Sequence, residues 1–150
     1  MTEYVKLSHI DHVLKRPDMY AGSKDAATRD EFVVENKKLV KKSVNYSPAL
    51  FKIFDEILVN AMDHSVRDDT MTKIIVRVDS ASFSIENDGG SIPIEMHETE
   101  NVWIPELIFG HLLTSTNYDD SQERIVGGRN GLGSKLTNIF SSKFIVELCD

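Results

Sequence analysis

The chain has 150 residues, 41% of them apolar and 27% charged, enough for one compact globular domain with a real core. Its 17 Lys and Arg against 24 Asp and Glu leave a net charge of −7, which argues against holding DNA or RNA by bulk electrostatics, because counterion release needs clustered cations. A single cysteine, Cys149, excludes an internal disulfide, and no CxxC or His-x-x-x-His spacing offers a zinc site, so any metal would be an oxygen-bound ion such as magnesium.

Met1 is not followed by a basic segment and a long apolar run, and no stretch of about 18 apolar residues occurs, so an intracellular protein without a membrane span is expected. After a short extended start, Ser8 or Asp11 caps a brief helix that ends near Arg16-Pro17, since proline disfavours helix in its predecessor. Met19 to Ser23 reads as a strand or turn. Lys24 to Asn36 reads as a loop followed by a strand with a Phe-Val-Val centre. Lys37, Lys38, Lys41 and Lys42 form a basic cluster, either a solvated hairpin edge or a phosphate or DNA patch. Ser47-Pro48 opens a long helix with proline at its first position.

That helix organises the rest. At about 100° per residue, Leu50, Ile53, Phe54, Ile57, Leu58 and Ala61 form one apolar face. Glu56, Asn60 and Asp63 group within roughly 60° on another. A carboxylate and an amide one turn apart inside an otherwise apolar helix suggest a floor under something polar. The alternative is that Glu56 and Asp63 are ordinary solvated charges.

Lys73 to Asp79 and Ser82 to Glu86 alternate as two strands of a hairpin. The second runs into Asn87-Asp88-Gly89-Gly90, where adjacent glycines leave the sheet in a way most side chains could not follow. This is a plain loop, or a turn whose backbone approaches a flat ligand while Asn87 or Asp88 bonds its edge. Pro105 to Leu113 reads as a short amphipathic helix and Thr114 to Gln122 as a hydroxyl-rich, lid-like loop. The run Gly127-Gly128-Arg129-Asn130-Gly131-Leu132-Gly133-Ser134-Lys135 precedes an apolar helical pattern, and Phe144 to Leu148 reads as a final strand. Glycines ahead of a helix start expose N–H groups to an anion.

The glycine run is neither of two common nucleotide motifs. A Walker loop needs G-x-x-x-x-G-K-[ST], but after Gly133 the order is Ser134-Lys135. A dinucleotide fingerprint needs G-x-G-x-x-G, whereas Gly128, Gly131 and Gly133 give G-x-x-G-x-G. Its place after a Glu-x-x-x-Asn helix and an Asn-Asp-Gly turn is more specific.

The blocks YVKLSHIDHVLKRPDMYAGS, LFKIFDEILVNAMDH, NDGGSIPIE, IPELIFGHLLTSTNYDD and GGRNGLGSK, in this order and spacing, resemble the N-terminal ATPase region of eukaryotic-type type II DNA topoisomerases. These belong to the GHKL superfamily shared with gyrase, mismatch-repair and chaperone ATPases and histidine kinases. The resemblance covers essentially the whole chain. It implies an α+β fold, a two-layer α/β sandwich of the Bergerat type with helices on one face of a mixed, mostly antiparallel sheet. An N-terminal arm over residues 1–20 and a nucleotide pocket over 50–135 would make up one ATPase domain, incomplete at its C-terminal end, with transducer and DNA-cleavage domains further downstream.

The implied cofactors are ATP and Mg²⁺. Glu56 matches the general base, and Asn60 the residue that completes magnesium coordination. Asn87 matches the position that reads the adenine edge, and Ser115, Thr116 and Asn117 match lid contacts to ribose and phosphate. Gly128, Arg129, Asn130, Gly131, Leu132, Gly133, Ser134 and Lys135 match the phosphate-cradling loop, Lys135 neutralising charge. Tyr4 matches an arm residue that reaches the nucleotide site of the other subunit of a homodimer. Double-stranded DNA would be the substrate of the full-length enzyme, with little direct binding here. A phosphate-contacting lysine in the family comes from a second domain and has no match in these residues.

Three departures stand out. The family turn usually reads Asn-Asp-Gly-x-Gly, but here Ser91 takes the second glycine's place and Gly90 comes one residue early. His64 stands where many relatives have Asn, as an altered nucleotide contact or, the expectation here, a solvent-facing exchange. The arm before Tyr4 is short, as in a compact enzyme of a large DNA virus, which would make the location nuclear, or cytoplasmic or virion-borne if viral. Two functions follow: an ATP-hydrolysing gate whose closure is coupled to passage of one DNA duplex through another, or a nucleotide-dependent dimerisation module without hydrolysis. Glu56 separates them, because a pure binding module has no use for a base beside the phosphates.

Overall fold

The computed structural model describes residues 4–112, 114 and 131–149. The chain divides into two compact units, Met1–Lys52 and Ile53–Asp150. The class is α+β: the described strands pair as two separate antiparallel hairpins, and four α-helices accompany them. None of the described helices is long and apolar enough to cross a membrane.

In the first unit α1 spans His9–Lys15, and Ser8 caps it as expected, its Oγ accepting from the Asp11 N–H at 3.1 Å. Pro17 then forces a 3-10 turn over Pro17–Met19, and His12 Nδ1 meets the Tyr20 hydroxyl at 2.8 Å. Val13, Pro17, Ala21 and Ala49 are buried. Strands β1 (Ala27–Glu35) and β2 (Lys38–Tyr46) form a hairpin in the register Val33 opposite Val40. Asn36 and Lys37 both have positive φ, the twist that a two-residue hairpin turn requires. Lys41 pairs with Asp30 at 3.1 Å and Lys42 with Glu35 at 2.8 Å, so acids of the same hairpin answer these two cations of the basic cluster. The four lysines of the cluster lie exposed on this hairpin.

Helix α2 spans Pro48–Arg67. Its apolar stripe departs from expectation at the start: Leu50 is 61% exposed, and Ala49 is buried in its place. From Ile53 onward the stripe holds, with Ile53 and Ala61 buried and Phe54, Ile57 and Leu58 half-buried.

In the second unit β3 (Ile74–Val78) and β4 (Phe83–Asn87) pair in the register Val76 opposite Ile85. Asp79 closes their turn by accepting from the N–H groups of Ala81 and Ser82 at 2.8 and 2.7 Å. Phe83 meets Phe54 of α2 edge-on at 5.3 Å, which places the Phe83 and Ile85 face of the hairpin toward the helix, while Arg77 and Glu86 pair at 2.9 Å on the exposed side. Helix α3 spans Ile104–Gly110 and α4 spans Gly133–Phe140. Asn138 of α4 donates to the Phe109 carbonyl at 3.1 Å. Thr137 Oγ1 donates to the Ile53 carbonyl of α2 at 2.8 Å, nearer than the Gly133 carbonyl of its own helix at 3.3 Å.

The expected strand Phe144 to Leu148 is not formed. The segment pairs with no strand among the described residues, and an alternating pattern becomes a strand only where a neighbour takes up its N–H and C=O groups. Its apolar residues are used differently, Phe144 lying 6.1 Å from the Phe109 ring.

Thr137 is 1% exposed, so its hydroxyl bond to α2 is a buried tie between two helices. Thr137→Val keeps the volume and removes the bond, and should lower stability by about 1 kcal/mol. A urea titration with unchanged slope checks this; an unmoved midpoint would show that the bond adds nothing to stability.

Candidate functional site

Two places in the second unit bring predicted residues together, and both depend on a glycine without a Cβ. The first is the start of α4. Gly131 holds φ +59°, the left-handed conformation that turns the chain into the helix. A Cβ built at Gly133 would fall on Glu56 Oε2 and lie 3.0 Å from Glu56 Cβ, so any larger residue would push the α2 carboxylate away from the helix start. No side chain caps this helix, with Leu132 at the cap position, and Ser134 and Lys135 are each 5% exposed. The first-turn N–H groups of a helix have no partner within it, and here they lie at a buried, uncapped start beside a half-buried carboxylate.

Lys135 does not point into open solvent. Its ammonium donates to the Thr114 carbonyl at 2.7 Å, and burial holds its pKa below the ordinary lysine value. Thr114 in turn donates to the Leu107 and His111 carbonyls at 2.9 and 2.8 Å, capping the end of α3. Asn60, one turn beyond Glu56, is exposed. Asp63 is buried at 9% exposure, which overturns the alternative that it is a solvated charge.

The second place is the turn after β4. Asn87 Oδ1 accepts from the Gly89 N–H at 3.2 Å, so the amide carbonyl shapes its own turn. Asp88 is not available to bond a ligand edge: its carboxylate accepts from Thr72 N–H at 2.9 Å, Thr72 Oγ1 at 2.6 Å and Lys73 N–H at 3.0 Å. Asp68, just past the end of α2, accepts from Gly90 N–H at 2.6 Å and from the N–H and hydroxyl of Thr70 at 2.9 and 2.6 Å. The glycines are not required for their φ, which is not positive at Gly89 or Gly90. At Gly89 the reason is contact, since a Cβ there would lie 2.6 Å from the His64 ring.

His64 is therefore no solvent-facing exchange. Its ring is half-buried under Gly89, and Nε2 is shielded from solvent, has no hydrogen-bond partner among the described residues and lies 3.6 Å from Asp68 Oδ2. Asp68, Asp88 and His64 were not legible as a group in the sequence. Asp68 and Thr70 carry the local signature of a turn that bonds itself, but nothing local announces the bond from Asp68 to Gly90. Of the remaining predicted residues, Tyr4 is 97% exposed. Ser115, Thr116, Asn117, Gly128, Arg129 and Asn130 lie outside the described residues.

Gly89→Ala should destabilise by about 1–3 kcal/mol through overpacking against a stiff ring. His64→Ala in the same chain should recover part of that loss in a thermal melt; strictly additive losses would mean that the ring is not what Gly89 accommodates. The turn also has an acid limit. Its hydrogen bonds, from Gly90 above all at Asp68 and from Thr72 above all at Asp88, hold both carboxyls at about 2 against an ordinary 3.8. A depressed folded-state pKa adds stability that is complete above the ordinary value and lost as pH falls from 3.8 through about 2. The Gly90 amide resonance should shift over that window and should cease to do so in Asp68→Asn.

Comparison with known proteins places this arrangement. Residues 45–147 match the family described as "Histidine kinase-, DNA gyrase B-, and HSP90-like ATPase". The chain is 51% identical over 152 residues to the DNA topoisomerase 2 of Saccharomyces cerevisiae, covering 99% of this chain and 11% of that protein. It is 54% identical over 151 residues to the DNA topoisomerase 2 of Candida albicans, covering 98% of this chain and 10% of that protein. Among solved structures it superposes on the ATPase region of S. cerevisiae topoisomerase II with TM-score 0.87 and 50% identity, over 93% of this chain and 38% of that one. The ATPase and transducer domains of DNA topoisomerase II from Balamuthia mandrillaris give TM-score 0.87 and 49% identity, over 92% and 36%. The chain thus spans about a tenth of the length of the curated relatives it matches.

Proposed function

Because this chain belongs to the family of histidine kinase-, DNA gyrase B- and HSP90-like ATPases, we propose that it is the ATP-binding and ATP-hydrolysing gate of a type II DNA topoisomerase. The observation that carries the reading is the Glu56 carboxylate held against the uncapped, buried start of α4. A helix start offers N–H groups and positive potential to a phosphate. A carboxylate beside that seat is placed to take a proton from a water next to a bound phosphate. In this reading Glu56 takes a proton from the water that attacks the terminal phosphorus, the bond to the bridging oxygen breaks, and ADP and phosphate leave.

The donor set suits magnesium. Among the described residues no group of three or more His, Cys, Asp or Glu could hold a metal ion, so these residues offer no all-protein cage. Asn60 offers a single hard oxygen one turn from Glu56, which fits an ion that takes most of its shell from phosphate and water. Mg²⁺, when bound, would neutralise charge on the phosphate oxygens. Asn87 would read the adenine edge, Ser115, Thr116 and Asn117 would cover the ribose and phosphates, and the run from Gly128 to Lys135 would cradle them. Tyr4, exposed on the arm, would reach the nucleotide of the second subunit. In the whole protein, nucleotide-driven closure of the dimer would be coupled to passage of one DNA duplex through another.

Glu56→Gln should lower the hydrolysis rate by at least about 10²-fold while leaving Mg·ATP affinity near that of the parent, because a general base acts mainly in the transition state. Asn60→Ala, measured in parallel, should weaken nucleotide binding in magnesium and much less in EDTA. Equal loss of binding and turnover in Glu56→Gln would assign that residue a structural role and leave the non-hydrolysing module as the function.

A further inference from the structure

Two loops of the second unit fasten each other through carboxylates running in opposite directions. Asp68, in the loop after α2, accepts from the backbone of Gly90 in the turn after β4. Asp88, in that turn, accepts from the backbone and hydroxyl of Thr72 and the backbone of Lys73 in the loop after α2. Neither loop needs the other to satisfy solvent-exposed N–H groups, since water would serve. Direct bonds to ionised acceptors are instead the stronger and more directional choice. His64 completes the arrangement, its ring lying under Gly89 so that the turn cannot drop toward α2.

These contacts fasten the turn that directly follows one residue. Asn87 is the last residue of β4 and opens the turn, bonding Gly89 through its own side chain. The register pairs it with Ile74, the residue that follows the Thr72 and Lys73 anchors. The turn is therefore held just after Asn87, by Asp88 immediately following it and by Asp68 at Gly90 two residues further on, while the ladder to Ile74 holds Asn87 itself.

We propose that this reciprocal clasp is the positioning device for base recognition: Asp68 and Asp88 set the orientation of Asn87, and Asp68 ties that orientation to the helix that carries Glu56 and Asn60. The proposal rests on the reading of Asn87 as the residue facing the adenine edge. It makes Asp68 a positioning residue, acting through the turn rather than on the nucleotide. It also accounts for a sequence that lacks the second family glycine: with Gly90 bonded to Asp68, the turn is shaped by the carboxylate rather than by glycine at position 91.

The test measures affinity for ATP, GTP and inorganic tripolyphosphate in the intact protein and in Asp68→Asn, Thr72→Val and Asn87→Ala. Asp68→Asn should weaken ATP by about tenfold, shrink the preference for ATP over GTP toward that of Asn87→Ala, and leave tripolyphosphate affinity unchanged. Thr72→Val, a mild change at an exposed position, should move the same way by less, and it carries the test if Asp68→Asn folds poorly. The clasp is overturned if both variants keep the parental base preference, or if they lose ATP and tripolyphosphate in equal measure, which a merely structural role would produce. If Asn87→Ala itself keeps the parental preference, the assignment of Asn87 fails, and the proposal with it. That outcome is distinguishable because the Asn87 variant is measured separately.

Discussion

The absence of a Cβ at Gly133 is the constraint on which the site depends. It allows the start of α4 to rest against Glu56, and Thr137 then fastens the same helix to the Ile53 carbonyl one turn earlier in α2. Docking α4 by its N-terminal half leaves the helix start as the part facing the polar stripe of α2. The first-turn N–H groups of α4 therefore lie at a start that rests against the Glu56 carboxylate, a charge of the sign that a helix N-terminus attracts.

Carboxylates do much of the local construction. Asp79 closes the β3–β4 turn, Asp68 and Asp88 join the two loops at its far end, and Asp30 and Glu35 answer Lys41 and Lys42 on the first hairpin. The negative net charge is therefore partly a consequence of how turns are held. It says less about partners than a count of charges suggests.

Local signals were readable where one short segment settles its own conformation. Ser8 as a cap, Pro48 at a helix start and the alternation from Lys73 to Glu86 each became the expected element. The polar stripe on α2 was also legible, because helical periodicity alone puts Glu56 and Asn60 on one side. Expectations failed where a distant neighbour decides. Leu50 carries an apolar side chain at the correct phase yet is exposed, and Ala49 is buried, because burial is settled by what packs there. Phe144 to Leu148 alternates as a strand does, but pairing requires a partner strand.

His64 shows the division most clearly. In the sequence it reads as a solvent-facing exchange of one polar residue for another. In the structure its ring sits next to Asp68, one helical turn on, and beneath Gly89, 25 positions away, which the return of the β3–β4 hairpin brings to it. By itself the sequence singled out the candidate residues, since Glu56, Asn60, Asn87 and the glycine run stand out by type, spacing and order. Only the tertiary structure decided which glycine is obligatory and which acid is already occupied. Those outcomes depend on contact distances between segments far apart in the chain, and periodicity holds no information about such distances.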